Sequence, residues 1–416
     1  MASGPLNGVR VLEFTQIIAG PLSCQLLADL GAEVIKIEPP HGEPWRLNSQ
    51  FIPLESKTYQ GLNRGKLSLA IDLGHPDARD VIYKLIPDID VVVINYRPDV
   101  PARLGIDYET LRAIKSELIY ADNTAFGRAG PWANRPGYDI VVQAASGLMA
   151  SLGKLDEHGS PKVGGAYADY TTGYSLALAV SAALFYRAQT GKGQLIETSL
   201  LVNALQIQGQ SMSLPAADAE TRGQLLADLE NRELDGVDYA QFVRDRERAP
   251  QIYYRGYATR DGAIAIGALS TSLRSKVRQA LGVEHNRDEP GYDQTNPEQQ
   301  VIDRAVNDQV EAMVRGDSSA HWEQIFQEHG VPVSRVQFVE ELADHPQVVE
   351  NEYMVALDHD LSGPQQMAAP PWKMSESPPA AQGAAPPLGR DTDAVLTAAG
   401  YSENEVTAMR TAGVIL

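Results

Sequence analysis

The sequence holds a single cysteine, Cys24, among 416 residues. That excludes a disulfide framework and a cysteine-based metal site, and it fits a reducing compartment. Positive charge is also scarce, with 35 Lys and Arg against 54 Asp and Glu, a formal charge of -19. A field of that sign repels nucleic acid and anionic membrane, so neither is expected as a partner. Any phosphate-bearing ligand then needs a local basic cluster. The first five residues, ending in Gly4 and Pro5, lack the basic and apolar regions of a secretory leader. The longest apolar stretches, near 176–185 and 195–205, are too short and interrupted to span a bilayer. A cytoplasmic location is expected. The eight histidines are scattered without H-E-x-x-H spacing, and neither a G-x-S-x-G elbow nor a P-loop is present, so no metal is expected and no hydrolase or kinase signature is found.

What is present is alternation. Residues 9–14 and 33–38 read as buried strands. Between them lie Ala19, Gly20 and Pro21, a turn from which a helix over 22–30 can start, with Gly31 as its stop. Further strands are predicted at 67–73, 90–94 and 118–122, and helices at 77–85 and 108–116. The pattern predicts an α/β fold, a Rossmann-like parallel sheet covered by helices on both faces. A large first part is expected over 1–205 and a polar helical linker over 206–250. Asp261 and Gly262 between strand-forming runs 252–258 and 263–268 predict a hairpin, opening a smaller α+β domain over 251–330. Residues 331–416 are expected to hold a Pro- and Ala-rich crossing segment at 370–387 and helical patterning from 392 onward.

Glu38 closes the second strand where a ribose-binding acid would sit. The preceding turn lacks the G-x-G-x-x-G that brings backbone to a pyrophosphate, so a nicotinamide or flavin site is weakly supported. Basic residues gather in the predicted loops: Arg64, Lys66, Arg97, Arg103, Arg128 and Arg135. Asn95 directly follows a predicted strand, at the end of an open α/β sheet where ligands bind. Guanidinium and ammonium groups there suit a polyphosphate, or they simply solvate the surface. Asp169 opens a long apolar helical run over 173–186. An acid at that position caps the helix, or else the helix N-terminus holds it ionised, below its usual pKa, as a covalent nucleophile.

These segments together resemble the class III CoA-transferases nearly end to end. The resemblance is carried by 9–14, by Ala19, Gly20 and Pro21, by 30–40, by 63–66, by 95–98 and 103–105, by 136–139 and 191–194, and by 330–332 and 387–389. It implies a large Rossmann-like domain built from both chain ends, a small inserted domain and an interlocked homodimer. It also implies that Asp169 is the nucleophile, with Tyr138 and Asp139 near it, and that Lys66, Asn95, Arg97 and Arg103 lie near the nucleotide end of CoA, with Arg64 a further contact. No tightly bound cofactor is implied; CoA and acyl-CoA act as substrates alongside a small carboxylic acid acceptor.

The expected activity is transfer of CoA from a thioester to a carboxylic acid through an aspartyl-CoA thioester on Asp169. The resemblance includes 2-methylacyl-CoA racemases, which carry a histidine where this chain has Tyr138; a racemase, lacking that second proton shuttle, is the alternative. A non-catalytic CoA-binding protein is a further one. Ile18, and residues 244–250 in place of a glycine run, argue against oxalate as acceptor, while Arg128 and Arg135 favour a dicarboxylate such as succinate.

Overall fold

The computed structural model describes residues 4–234, 238–245, 251–293 and 296–416. The chain divides into two compact units, one from 1–241 with 347–416 and one from 242–346.

The first unit is built on six parallel strands: β1 Arg10–Phe14, β2 Glu33–Glu38, β3 Lys66–Ala70, β4 Val91–Ile94, β5 Ile119–Thr124 and β6 Leu195–Ser199. They lie in the order β3-β2-β1-β4-β5-β6, the order of dinucleotide-binding folds. β4 is a run of β-branched residues buried on both faces, as a central parallel strand must be. One face of the sheet, through Leu12, Phe14, Ile35 and Val92, packs against the helix Ala78–Leu85. The last helices, Thr392–Ala398 and Glu403–Thr411, add Val395, Leu396 and Val406 to the same layer. The other face, through Val11, Val34, Val91, Ile119 and Ala121, packs against α1 Ala19–Asp29 and, later in the chain, α3 Tyr167–Thr190. α1 and α3 meet closely at Gly173, where a Cβ would lie 2.7 Å from Leu22 Cδ2. A shorter helix, α2 Asp139–Ala145, precedes α3.

Glu38 does not face a ribose. Its carboxylate is taken by the fully buried Arg46, at 2.7 Å to Nε and 2.8 Å to Nη2, and Arg46 also reaches Glu55 at 3.1 Å and the Pro386 carbonyl at 2.9 Å. Beside this cluster, Lys36 lies between Glu13 at 3.0 Å and Glu43 at 3.1 Å. Burial alone would raise the Glu13 carboxyl, but the ammonium groups of Lys36 and Lys66 hold it below its usual range. The Pro- and Ala-rich segment 370–387 carries no helix or strand and is fastened by Ala380 N to the Asp29 carbonyl (2.9 Å) and by Gly65 N to the Gly383 carbonyl (3.0 Å).

The hairpin Met354–His359 with Gly363–Ala368 is absent from the sequence expectation. So is β6, whose apolar run reads equally as helix. Within 206–250, helices Ala219–Leu234 and Tyr239–Asp245 form; residues 235–237 and 246–250, including most of the segment weighed against an oxalate site, lie outside the described residues.

In the second unit, Tyr254–Ala258 and Ala263–Gly267 pair antiparallel across the Asp261–Gly262 turn as expected. The third strand is Val333–Arg335, paired with Ala263–Gly267. This sheet therefore continues past 330, the expected end of the small domain, because three residues are too few to show strand periodicity. Its core is formed by Ile264, Val310, Trp322 and Phe326.

Candidate active site

A cavity of about 530 Å³ opens at the carboxyl ends of the parallel strands. Residues following β1 (Gln16, Ile17), β3 (Ile71 to Gly74), β4 (Asn95 to Pro98), β5 (Ala125) and β6 (Leu200) line it. β1 and β4 are neighbours whose connections leave in opposite directions, the switch point at which open α/β sheets bind ligands.

The floor after β1 is held in a strained form. Ile17 has φ of 75°, a conformation that costs a β-branched residue about 1–3 kcal/mol. Its N–H donates to Glu43 Oε2 at 2.8 Å. Asn95 closes a two-bond clamp on Gln16: its Oδ1 accepts from Gln16 N at 3.0 Å and its Nδ2 donates to Gln16 O at 2.8 Å. Asn95 thus lines the cavity with its carboxamide already engaged.

The basic residues separate into two groups. Lys66 is buried, with its three donors directed to Glu13 Oε2 (2.8 Å), Asn63 Oδ1 (2.8 Å) and the Pro21 carbonyl (2.9 Å). An ammonium has three protons, so none is left for a ligand. Arg64 is likewise buried in a two-bond pair with Asp29, at 2.9 and 2.6 Å. Arg97 lines the cavity and lies 3.4 Å from Asp99. Arg103 is exposed, 3.5 Å from the same carboxylate, and is not among the lining residues. Arg128 is taken by Asp122 and lies 3.6 Å from Glu197. Arg135 does line the cavity, its guanidinium 5.2 Å from the Trp132 ring centroid.

Tyr138, Asp139 and Asp169 come together. Gly137 passes so close to the end of β5 that a Cβ would lie 2.8 Å from that of Ala125 and 2.9 Å from the Phe126 ring. This close approach sets Tyr138 on the cavity wall, where it is 64% exposed rather than packed in the core. Asp169 is not the N-cap of α3. Ala166 holds that position and makes no side-chain cap, while Asp169 stands in the first turn. Its N–H is capped from outside the helix by Asp139 Oδ1, at 3.0 Å. Asp139 Oδ2 accepts from Gln143 Nε2, which also donates to the Gly165 carbonyl at 2.7 Å.

The expected lowering of the Asp169 pKa by the helix N-terminus is overturned. Burial, and then the neighbouring Asp139 carboxylate, push it up to about 7, because desolvation and a like charge both disfavour the ionised form. A carboxyl at that value can act as nucleophile or proton carrier near neutral pH.

One residue of the cavity was not singled out from the sequence. Asn123, in the last turn of strand before the β5 loop, is 4% exposed, and its Oδ1 has no hydrogen-bond partner among the described residues. Its place at the carboxyl end of a predicted parallel strand was the available signal.

A protein-family model described as CoA-transferase family III matches residues 6–392. Succinate–glutarate CoA-transferase of Agrobacterium fabrum is 39% identical over 219 residues, a match spanning 50% of this chain and 54% of that protein. Succinyl-CoA:glutarate CoA-transferase of Homo sapiens is 30% identical over 420 residues, covering 99% of this chain and 90% of that one. The crystal structure of a CAIB/BAIF family protein from Brucella suis aligns with a TM-score of 0.72 at 26% identity, covering 95% of this chain and 100% of that one.

Proposed function

The chain belongs to CoA-transferase family III, and on that premise we propose that it moves CoA from an acyl-CoA thioester to a small carboxylic acid through a covalent aspartyl-CoA thioester on Asp169. The observation that carries the reading is the buried Asp169 carboxyl at the cavity wall, its backbone fixed by Asp139.

An Asp169 carboxylate oxygen attacks the thioester carbonyl, the C–S bond breaks, and a mixed anhydride and CoA thiolate result. The thiolate attacks the aspartyl carbonyl, giving aspartyl-CoA and releasing the donor acid as a carboxylate. The acceptor carboxylate attacks aspartyl-CoA, and the same two steps in reverse release the new acyl-CoA and free Asp169. Keeping water out of the cavity preserves the thioester.

Arg97 would meet CoA phosphate, with Leu73, Tyr96, Pro98, Val100 and Leu104 offering an apolar shelf for the adenine. Lys66 and Arg64 support the fold beneath this site instead. Arg135 would receive the distal carboxylate of a dicarboxylic acceptor, a class named in both curated relatives reported above. No histidine lines the cavity among the described residues, which leaves a racemase without the imidazole it would use as second proton carrier.

The proposed homodimer is supported by an apolar stripe on α3: Tyr170, Tyr174, Leu178 and Phe185 are 47%, 47%, 73% and 67% exposed. Such a stripe is what a subunit interface would cover; a monomer in solution scattering would contradict the dimer.

The reading is tested by incubating the protein with a panel of acyl-CoAs and following intact and peptide mass. An adduct on the peptide holding Asp169, absent in Asp169→Ala, is expected. Turnover without any adduct in either protein would contradict it.

A further inference from the structure

Acyl transfer through Asp169 places negative charge on an acyl oxygen, and that charge needs a hydrogen-bond donor. One backbone candidate, the N–H of Asp169 itself, is occupied by Asp139. Two buried or partly buried carboxamides at the site are occupied as well: Asn95 clamps Gln16 in both directions, and Gln143 Nε2 is shared by Asp139 and Gly165.

Asn123 differs. Its side chain lines the same cavity and is buried; its Oδ1 has no partner, and its Nδ2, the donor, makes no hydrogen bond among the described residues, which leaves that N–H available to a ligand in the cavity. A buried carboxamide without partners is costly, and its presence calls for an explanation. The pleat of β5 supplies its direction. Ile119 and Ala121 pack on the face that meets Leu176 and Val180 of α3, and side chains two apart share a face. Asn123 continues that series at the strand's carboxyl end, on the side where the first turn of α3 carries Asp169.

We propose that Asn123 is a further catalytic residue, whose carboxamide N–H donates to the oxyanion formed when Asp169 attacks the thioester. The proposal rests on the transferase reading. As the Asp169 oxygen bonds to the carbonyl carbon, the carbonyl π pair moves onto oxygen and is held there by Asn123. The pair returns as the C–S bond breaks and the thiolate leaves. No oxidant or added cofactor is required.

The test compares Asn123→Ala and the near-isosteric Asn123→Asp with the unaltered protein in single-turnover adduct formation and in steady state. Loss of one oxyanion donor lowers the acylation rate and kcat by about 10²-fold, and KM for acyl-CoA and the thermal midpoint are expected to change little. Asn123→Asp, which puts an acceptor and a charge in the donor's place, is expected to be slower still, and it decides the matter if Asn123→Ala does not fold. Unchanged acylation in a folded variant, or a loss confined to KM, would overturn the proposal while leaving the Asp169 adduct intact. Absence of an adduct in the unaltered protein would overturn the transferase reading and this proposal with it.

Discussion

Asp139 Oδ1 accepts the backbone N–H of Asp169 at 3.0 Å, and its carboxylate stands beside that of the residue it holds. One side chain thereby caps the first turn of α3 and, after burial, adds to the rise in the Asp169 pKa. The arrangement keeps Asp169 protonated to a higher pH than a free aspartate.

Acylation of Asp169 is therefore expected to rise with pH through about 7 and level off above it, because only the carboxylate attacks. Asp139→Asn keeps an acceptor for the Asp169 N–H but removes the like charge. It is expected to move the inflection to lower pH, read from single-turnover rates across a pH series. An inflection left in place would show that burial alone sets the value.

Asp169 also makes stability depend on pH. Its folded pKa of about 7 lies above its usual 3.8, so between those values the folded state binds the extra proton. Stability is fully present below about 4 and falls as pH rises through about 7. Asp169→Asn carries no such dependence and is expected to be the more stable protein at pH 8. The upper bound is about 4–5 kcal/mol, at roughly 1.4 kcal/mol for each pH unit between the two values. Denaturant unfolding at a series of pH values reads the difference, which should vanish near pH 4.

The buried cluster beneath the cavity is expected to be intolerant of single changes. Glu13→Gln leaves Lys66 short of its carboxylate and Lys36 with Glu43 alone. Breaking a buried pair from one side costs about 3–5 kcal/mol, which a thermal or denaturant melt would show. A loss below about 1 kcal/mol would place these charges in contact with water.

Arg135→Gln is expected to lower kcat/KM for succinate or glutarate by about tenfold or more relative to a monocarboxylate of similar length, as loss of a charge-assisted hydrogen bond would. Arg128→Gln should leave that ratio unchanged, because Arg128 is already held by Asp122. Equal losses for both acid classes would remove Arg135 from acceptor recognition.

Much of the large unit was legible because parallel strands buried on both faces are rich in β-branched and other apolar residues, a continuous run at β4 and one broken by Glu13 or Lys36 at β1 and β2. The residues around Asp169 left capping and nucleophile both open, and only the family resemblance pointed to the latter; its ionisation state had no signal at all. Its cap comes from Asp139, thirty positions earlier, and desolvation has no local signature. Lys66 and Arg64 read as ligand contacts for the same reason: Glu13 and Asp29, which claim them, look like ordinary members of a strand and a helix. Asn123 was hidden at a strand end, where only the pleat and an occupied Asp169 N–H distinguish it.

The central claim is that the acceptor acid is joined covalently to Asp169 during turnover, and transfer of a heavy oxygen isotope tests it most directly. The acceptor is labelled in its carboxylate oxygens, turned over with an unlabelled acyl-CoA, and the peptide holding Asp169 is weighed. Attack of the labelled carboxylate on aspartyl-CoA makes its oxygen the bridge of the anhydride, and attack of the thiolate on the acyl carbonyl leaves that oxygen on Asp169. Label is expected in the Asp169 side chain after turnover. New acyl-CoA formed with no label in that peptide would contradict it.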